Sequence, residues 1–152
     1  NIFPLFFYRT TMIFNLKIMT KRELTQLSFK VTGYAIKIHK ALGPGLLEKV
    51  YEKCLNHELI KNGHYVEQQP AVPVYYDDIL INTTLNVDIL IDELVIVELK
   101  AVKELLPVHD AQILTYMKLL KIPQGLLFNF YTDSITKSMK PFVNEYFSMF
   151  PD

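Results

Sequence analysis

The chain reads as an α/β domain: a mixed sheet, built from an antiparallel meander plus a crossover helix, flanked by helices. Three observations predict it. Two amphipathic helix patterns come first. Three β-branched runs joined by tight turns follow. One further helix pattern then separates those runs from a short, nearly all-apolar segment. A helix between two neighbouring strands of one sheet is a crossover connection.

Thr20-Lys-Arg-Glu23 has capping-box spacing, with Thr20 as N-cap and Glu23 at the third helical position. Leu24, Leu27, Val31, Tyr34, Ala35, Ile38 and Leu42 then recur at helical spacing, and Gly43-Pro44-Gly45 stops the helix. A second helix is predicted from about Leu46 to Lys61, with Leu47, Val50, Tyr51, Cys54, Leu55 and Leu59 as its apolar stripe and Asn62-Gly63 at its end. Glu48 lies in its first turn, where the helix dipole favours a carboxylate.

Strand patterns occupy 65–69 and 72–76, where Pro70 and Pro73 signal an edge or a bend. Asp77-Asp78 is a turn, and strands are predicted over 79–91 and 94–102. A helix follows Pro107 and runs to Lys121. Residues 125–130 form a strand buried on both faces, 135–143 a last strand, and 144–152 an aromatic tail.

The 152 residues suit one domain with a sizeable core, expected over 19–152. Residues 1–18 read as an extension of uncertain status, with Met19 as a plausible start. Half of the residues are hydrophobic, which excludes a disordered chain. The 16 basic and 16 acidic residues balance, so no global charge draws the chain to nucleic acid. Basic residues concentrate in the first forty positions. Cys54 is the only cysteine, which rules out an internal disulfide and cysteine-ligated zinc or iron–sulfur sites. It also fits a cytoplasmic setting. No apolar run is long enough to span a bilayer, so no membrane partner is expected.

The most informative stretch is Thr84 to Val102. Asp88, Glu98 and Lys100 interrupt two strand patterns where apolar residues belong. Glu98 and Lys100, two apart, share a strand face. No Lys or Arg lies between Lys61 and Lys100, while seven acids do. Charges on an apolar strand are costly unless paired or functional. If Asp92-Glu93 were a two-residue hairpin turn, Asp88 would oppose Val97, away from Glu98. A shared face therefore requires an odd-length loop or a β-bulge.

Asp, a gap, then Glu-x-Lys resembles the signature of the PD-(D/E)XK nuclease superfamily. Gly45-Leu-Leu-Glu48-Lys-Val-Tyr51 reads G-x-x-E-x-x-Y, and here the chain resembles the GxxExxY family of small bacterial and archaeal proteins in that superfamily. The stretch from Ala35 to Gly45, the Glu98-Leu-Lys100 strand, the helix with His109, Gln112 and Tyr116, and the strand ending Asn129-Phe130 match in the same order. The likeness covers about 25–130. Two departures stand out. Asn86 replaces an Arg two residues before the Asp, removing a possible phosphate contact, and Tyr131 replaces a Gly.

The resemblance implies a nuclease-like core and a nuclease acting on nucleic acid, DNA before RNA, with Mg²⁺ or Mn²⁺. It implies Asp88, Glu98, Glu48 and the Leu99 backbone carbonyl as metal ligands. Lys100 would act on the attacking water, in an electrostatic role because carboxylates surround it. Gln112 and Tyr116, four apart on one helix face, would border the site with Glu48. The alternative is a non-catalytic nucleic-acid- or protein-binding domain on the same fold.

Overall fold

The computed structural model describes residues 18–152. The expectation of an N-terminal extension concerns residues that, save Ile18, lie outside them.

Helix α1 spans Lys21–Leu42, and its start is built as the sequence predicts. Thr20 accepts from the Glu23 N–H at 3.2 Å, and Glu23 accepts from the Thr20 N–H at 3.0 Å. Gly43, at φ +70°, stops it in backbone space that side chains avoid. Helix α2 spans Glu48–Lys61. Its buried face is Tyr51, Glu52, Leu55, Glu58 and Leu59. Leu47 and Val50, expected in the apolar stripe, are instead exposed. Leu47 is the N-cap and Val50 lies on the first turn, off the buried face of α2.

Seven strands follow: β1 (Val66–Gln68), β2 (Val74–Tyr76), β3 (Ile79–Ile81), β4 (Ile89–Ile91), β5 (Val95–Lys100), β6 (Gln124–Asn129) and β7 (Lys140–Val143). The main sheet has the order β1-β4-β5-β6-β7. The β5–β6 pair is parallel and the other pairs are antiparallel. This is the mixed sheet expected, with β1 as an edge. Helix α3 (Pro107–Leu120) makes the crossover from β5 to β6, and all six residues of β6 are buried.

The predicted strand over 79–91 is not continuous. β2 and β3 form a separate hairpin with the register Val74↔Ile81, whereas β1 and β4 pair as Val66↔Ile91. Between them the pairing shifts by two residues. Two prolines without N–H groups and Gln69 at φ +51° bend one arm, while Thr83 captures the Leu85 N–H on the other. Apart from the half-buried Val74, the strands of the β2–β3 hairpin are exposed.

The predicted strand over 135–143 also divides. Residues Ile135–Ser138 form one helical turn, α4, before β7. The Met139 N–H closes that turn on the Ile135 carbonyl at 2.8 Å. The aromatic tail forms a turn, α5 (Glu145–Ser148), capped by Asn144, and Phe150 packs into the core.

The sheet separates two cores. Val95, Val97, Leu99, Phe128 and Phe130 pack with α1 and α2. Leu90, Ile96 and Leu127 pack with Ile113, Tyr116 and Met117 of α3. Gly125 lets α3 approach closely: a Cβ there would lie 2.6 Å from Met117 Sδ. Among the described residues, no helix is long and apolar enough to cross a membrane.

Candidate active site

The β4–β5 hairpin decides whether the acids can meet. Its register is Ile91↔Val95 and Ile89↔Val97, so three residues, Asp92-Glu93-Leu94, separate the paired positions. Asp92 and Glu93 are both left-handed, at φ +51° and +56°, and the Leu94 N–H returns to the Ile91 carbonyl at 2.8 Å. Leu94 is the extra residue. One step further along the register, Asp88 opposes Glu98, as the odd-length loop demands.

Asp92 fixes this turn. Its carboxylate accepts from the Tyr65 N–H at 2.9 Å and meets His64 Nδ1 at 2.8 Å, and His64 Nε2 meets the Tyr34 hydroxyl at 3.0 Å. An acid at the tip of the hairpin thus anchors the register that positions two acids at its base.

Glu98 and Lys100 alternate with Val97 and Leu99 of the α1–α2 core and so fall in line with Ile96 on the α3 side, while Asp88 stands just before β4, across from Glu98. Glu98 Oε1 accepts from the Asp88 N–H at 3.2 Å. Asp88 Oδ2 accepts from the Leu99 N–H at 2.8 Å. Glu98 is only 4% exposed. Burial pushes its carboxyl up to about 8. The charge of Asp88 adds to that, while the Asp88 N–H and Lys100 oppose it. Asp88 is also raised, by burial and by the charge of Glu52, against the Leu99 N–H, Gln69 and Lys100. Ion pairs among the described residues join Lys21 to Asp152, Lys37 to Glu58, Lys49 to Glu52, His64 to Asp92 and Lys140 to Asp110. Lys100 belongs to none of these.

Glu48 approaches from the first residue of α2. Its Oε1 accepts from the Ala101 N–H at 3.2 Å, just past Lys100. Tyr51 holds this end of α2. Its hydroxyl donates to the Gly43 carbonyl at 2.6 Å and accepts from the Leu46 N–H at 3.1 Å, and its ring stacks on Phe130 at 4.2 Å. The Tyr of G-x-x-E-x-x-Y is therefore the fastening of the loop that presents the Glu.

Asn129 is opposite Lys100 in the parallel register. Its amide exchanges hydrogen bonds with both backbone groups of Val102 and accepts from the Tyr131 N–H. It ties the chain beyond β5 to β6. Gln112 donates to the Tyr116 hydroxyl at 3.2 Å on α3, and Tyr116 is packed in the core beneath. Two histidines serve the scaffold. His39 meets the Thr132 carbonyl, and His109 accepts from the Leu106 N–H at the start of α3.

Glu52 and Gln69 have no place in the sequence pattern. Glu52 is buried, pairs with Lys49 at 2.9 Å and accepts from Gln69 Nε2 at 3.0 Å. Gln69 Nε2 also donates to Asp88 Oδ1 at 3.2 Å. Lys49 is held above the ordinary lysine range by its bond to Glu52, against some desolvation, with Asp88 and Glu48 adding to the pull. Glu48, Glu52 and Asp88 thus act on one cation. A Glu four residues after Glu48, between Tyr51 and Leu55 of the apolar stripe, is the sequence signal for Glu52.

A family model described as the PD-(D/E)XK nuclease superfamily matches residues 25–142. The chain belongs to the PD-(D/E)XK nuclease superfamily. No curated protein and no solved structure matches it. Membership makes a nuclease the expected activity and nucleic acid the expected substrate, and divalent metals are typical of the superfamily.

Among the described residues, no three His, Cys, Asp or Glu side chains are gathered into a ready-made metal cage. The donor chemistry nevertheless fits a hard divalent ion. Asp88 and Glu98 are adjacent oxygen donors whose mutual repulsion a cation would relieve. The Lys100 carbonyl accepts from the Phe130 N–H, so strand alternation turns the Leu99 carbonyl to the other edge, toward Asp88.

Proposed function

We propose that this superfamily member is a GxxExxY-type nuclease that hydrolyses phosphodiester bonds of nucleic acid, DNA in preference to RNA, with Mg²⁺ or Mn²⁺. One observation carries the reading. A three-residue loop brings two repelling carboxylates opposite each other, beside Lys100, a cation outside the ion pairs among the described residues. A purely structural network would pair that lysine.

Asp88, Glu98 and the Leu99 carbonyl would hold the metal, with Glu48 as a further ligand. The bound ion supplies a Lewis acid and a more acidic water. The chain's own groups do the rest. Lys100 orients the attacking water and offsets negative charge that develops on the phosphoryl oxygens. Glu48, held over the end of β5 by Tyr51, faces the same region. Gln112 and Tyr116 would border it from α3. The expected setting is cytoplasmic, in keeping with the unpaired Cys54.

The test is incubation with single- and double-stranded DNA and RNA, with Mg²⁺ or Mn²⁺ or with a chelator, beside Glu98→Ala. The expected result is metal-dependent cleavage by the native chain alone. Binding without metal-dependent cleavage would favour a non-catalytic domain on this fold. Equal cleavage by Glu98→Ala would remove the site assignment.

A further inference from the structure

Gln69 is held more firmly than a loop glutamine needs to be. It sits at the end of edge strand β1, 19 residues before Asp88 in sequence, yet it is bonded to Asp88 twice. Its backbone N–H donates to the Asp88 carbonyl at 2.9 Å, and its side-chain Nε2 donates to Asp88 Oδ1 at 3.2 Å. The same Nε2 donates to Glu52 Oε1 at 3.0 Å. Its own carbonyl accepts from Asn86 Nδ2 at 2.7 Å. All this is held at φ +51°, where a side chain with a Cβ is strained.

Each bond has a consequence for Asp88. Oδ2 is fixed by the Leu99 N–H, and Oδ1 by Gln69, so the carboxylate has a single orientation. Gln69 also stands between two acids. A neutral amide with two N–H groups satisfies both Asp88 and Glu52, where a hydrocarbon would leave them facing each other. A lysine in its place would neutralise Asp88 and compete with a bound cation. Gly or Asn would carry this backbone conformation with less strain. The strain is kept together with the amide that reaches Asp88.

We propose that Gln69 is a positioning residue for the metal centre: its amide sets the Asp88 carboxylate for cation binding and separates it from Glu52. This rests on the assignment of Asp88 as a metal ligand. Groups that orient ligands in this way typically change metal affinity by about 10–100-fold when removed.

The test is calorimetric titration of the full chain with Mn²⁺ for the native protein, Gln69→Gly and Gln69→Asn. Thermal unfolding of each without metal is measured alongside. Gly accepts the backbone conformation, and Asn accepts it with an amide one methylene too short to reach Asp88. Both variants are expected to keep the metal-free unfolding temperature within a few degrees of native, while Mn²⁺ affinity falls about 10–100-fold. A scaffold role alone would move the unfolding temperature and leave affinity intact. Native affinity in either folded variant overturns the proposal. Absence of saturable Mn²⁺ binding by the native chain overturns the metal site itself, and this inference with it.

Discussion

Asp88 gives its backbone N–H to Glu98 Oε1 at 3.2 Å, and its own Oδ2 takes the next N–H of that strand, from Leu99, at 2.8 Å. The fold thereby holds two acids together at its own expense. Glu98, raised from near 4.5 to about 8, favours the folded state most when protonated. That contribution is complete below the unfolded-state value and is lost as pH rises through the folded one. In chelator, the native chain should lose stability between about pH 4.5 and pH 8. Glu98→Gln should flatten that decline and be more stable at pH 8 by roughly 2–4 kcal/mol. Unfolding temperatures across pH read it, and superimposable profiles would count against the account.

Lys100 opposes the rise of both carboxyls, and its removal should act on chemistry more than on folding. For Lys100→Met the expected outcome is cleavage reduced by about 10²–10³-fold, as for loss of a group stabilising developing charge. Metal-dependent stabilisation should persist. Cleavage rates beside thermal shifts in Mn²⁺ distinguish this from simple unfolding.

Tyr51 joins packing to presentation of Glu48. Tyr51→Phe keeps the stack on Phe130 and loses the bonds to Gly43 and Leu46. A cost of about 1–3 kcal/mol is expected from the unpaired groups, with lower nuclease activity as the α2 start loosens. Tyr51→Ala, fully buried, should cost about 3–5 kcal/mol. Denaturant unfolding gives both values, and a neutral Tyr51→Phe would deny the hydroxyl its role.

Gly125 is where α3 and the sheet come closest. Gly125→Ala sets a methyl against Met117 Sδ and Ile113 Cδ1 and should destabilise by about 1–3 kcal/mol. Met117→Ala in the same chain should recover part of that loss, measured as a double-mutant cycle.

Much of this was legible in the sequence because the signals were local. The Thr20–Glu23 cap, the apolar run of β6 and the prolines beside β1 each specify their own segment. The loop between β4 and β5 was legible by demand: two acids on strands could share a face only with an odd count between them, and Leu94 supplies it. The break at 82–88 was not, since β-branched residues run through it and only a shift of pairing partner reveals the bend. Residues 135–138 carry a strand-like composition but fold as a turn because Met139 returns to Ile135. Gln69 and Glu52 are not legible for another reason. One lies in a proline-bounded loop and one on a helix, and only the edge position of β1 brings Gln69 to Asp88 and Glu52 to Gln69.

The central claim is that Asp88 and Glu98 form the heart of a divalent-metal site. Calorimetric titration with Mn²⁺ of the native chain, and of the Asp88→Asn/Glu98→Gln double variant, tests it most directly. The account predicts saturable binding by the native chain and none by a double variant that remains folded. Equal uptake by both, or no uptake by the native chain, would contradict it.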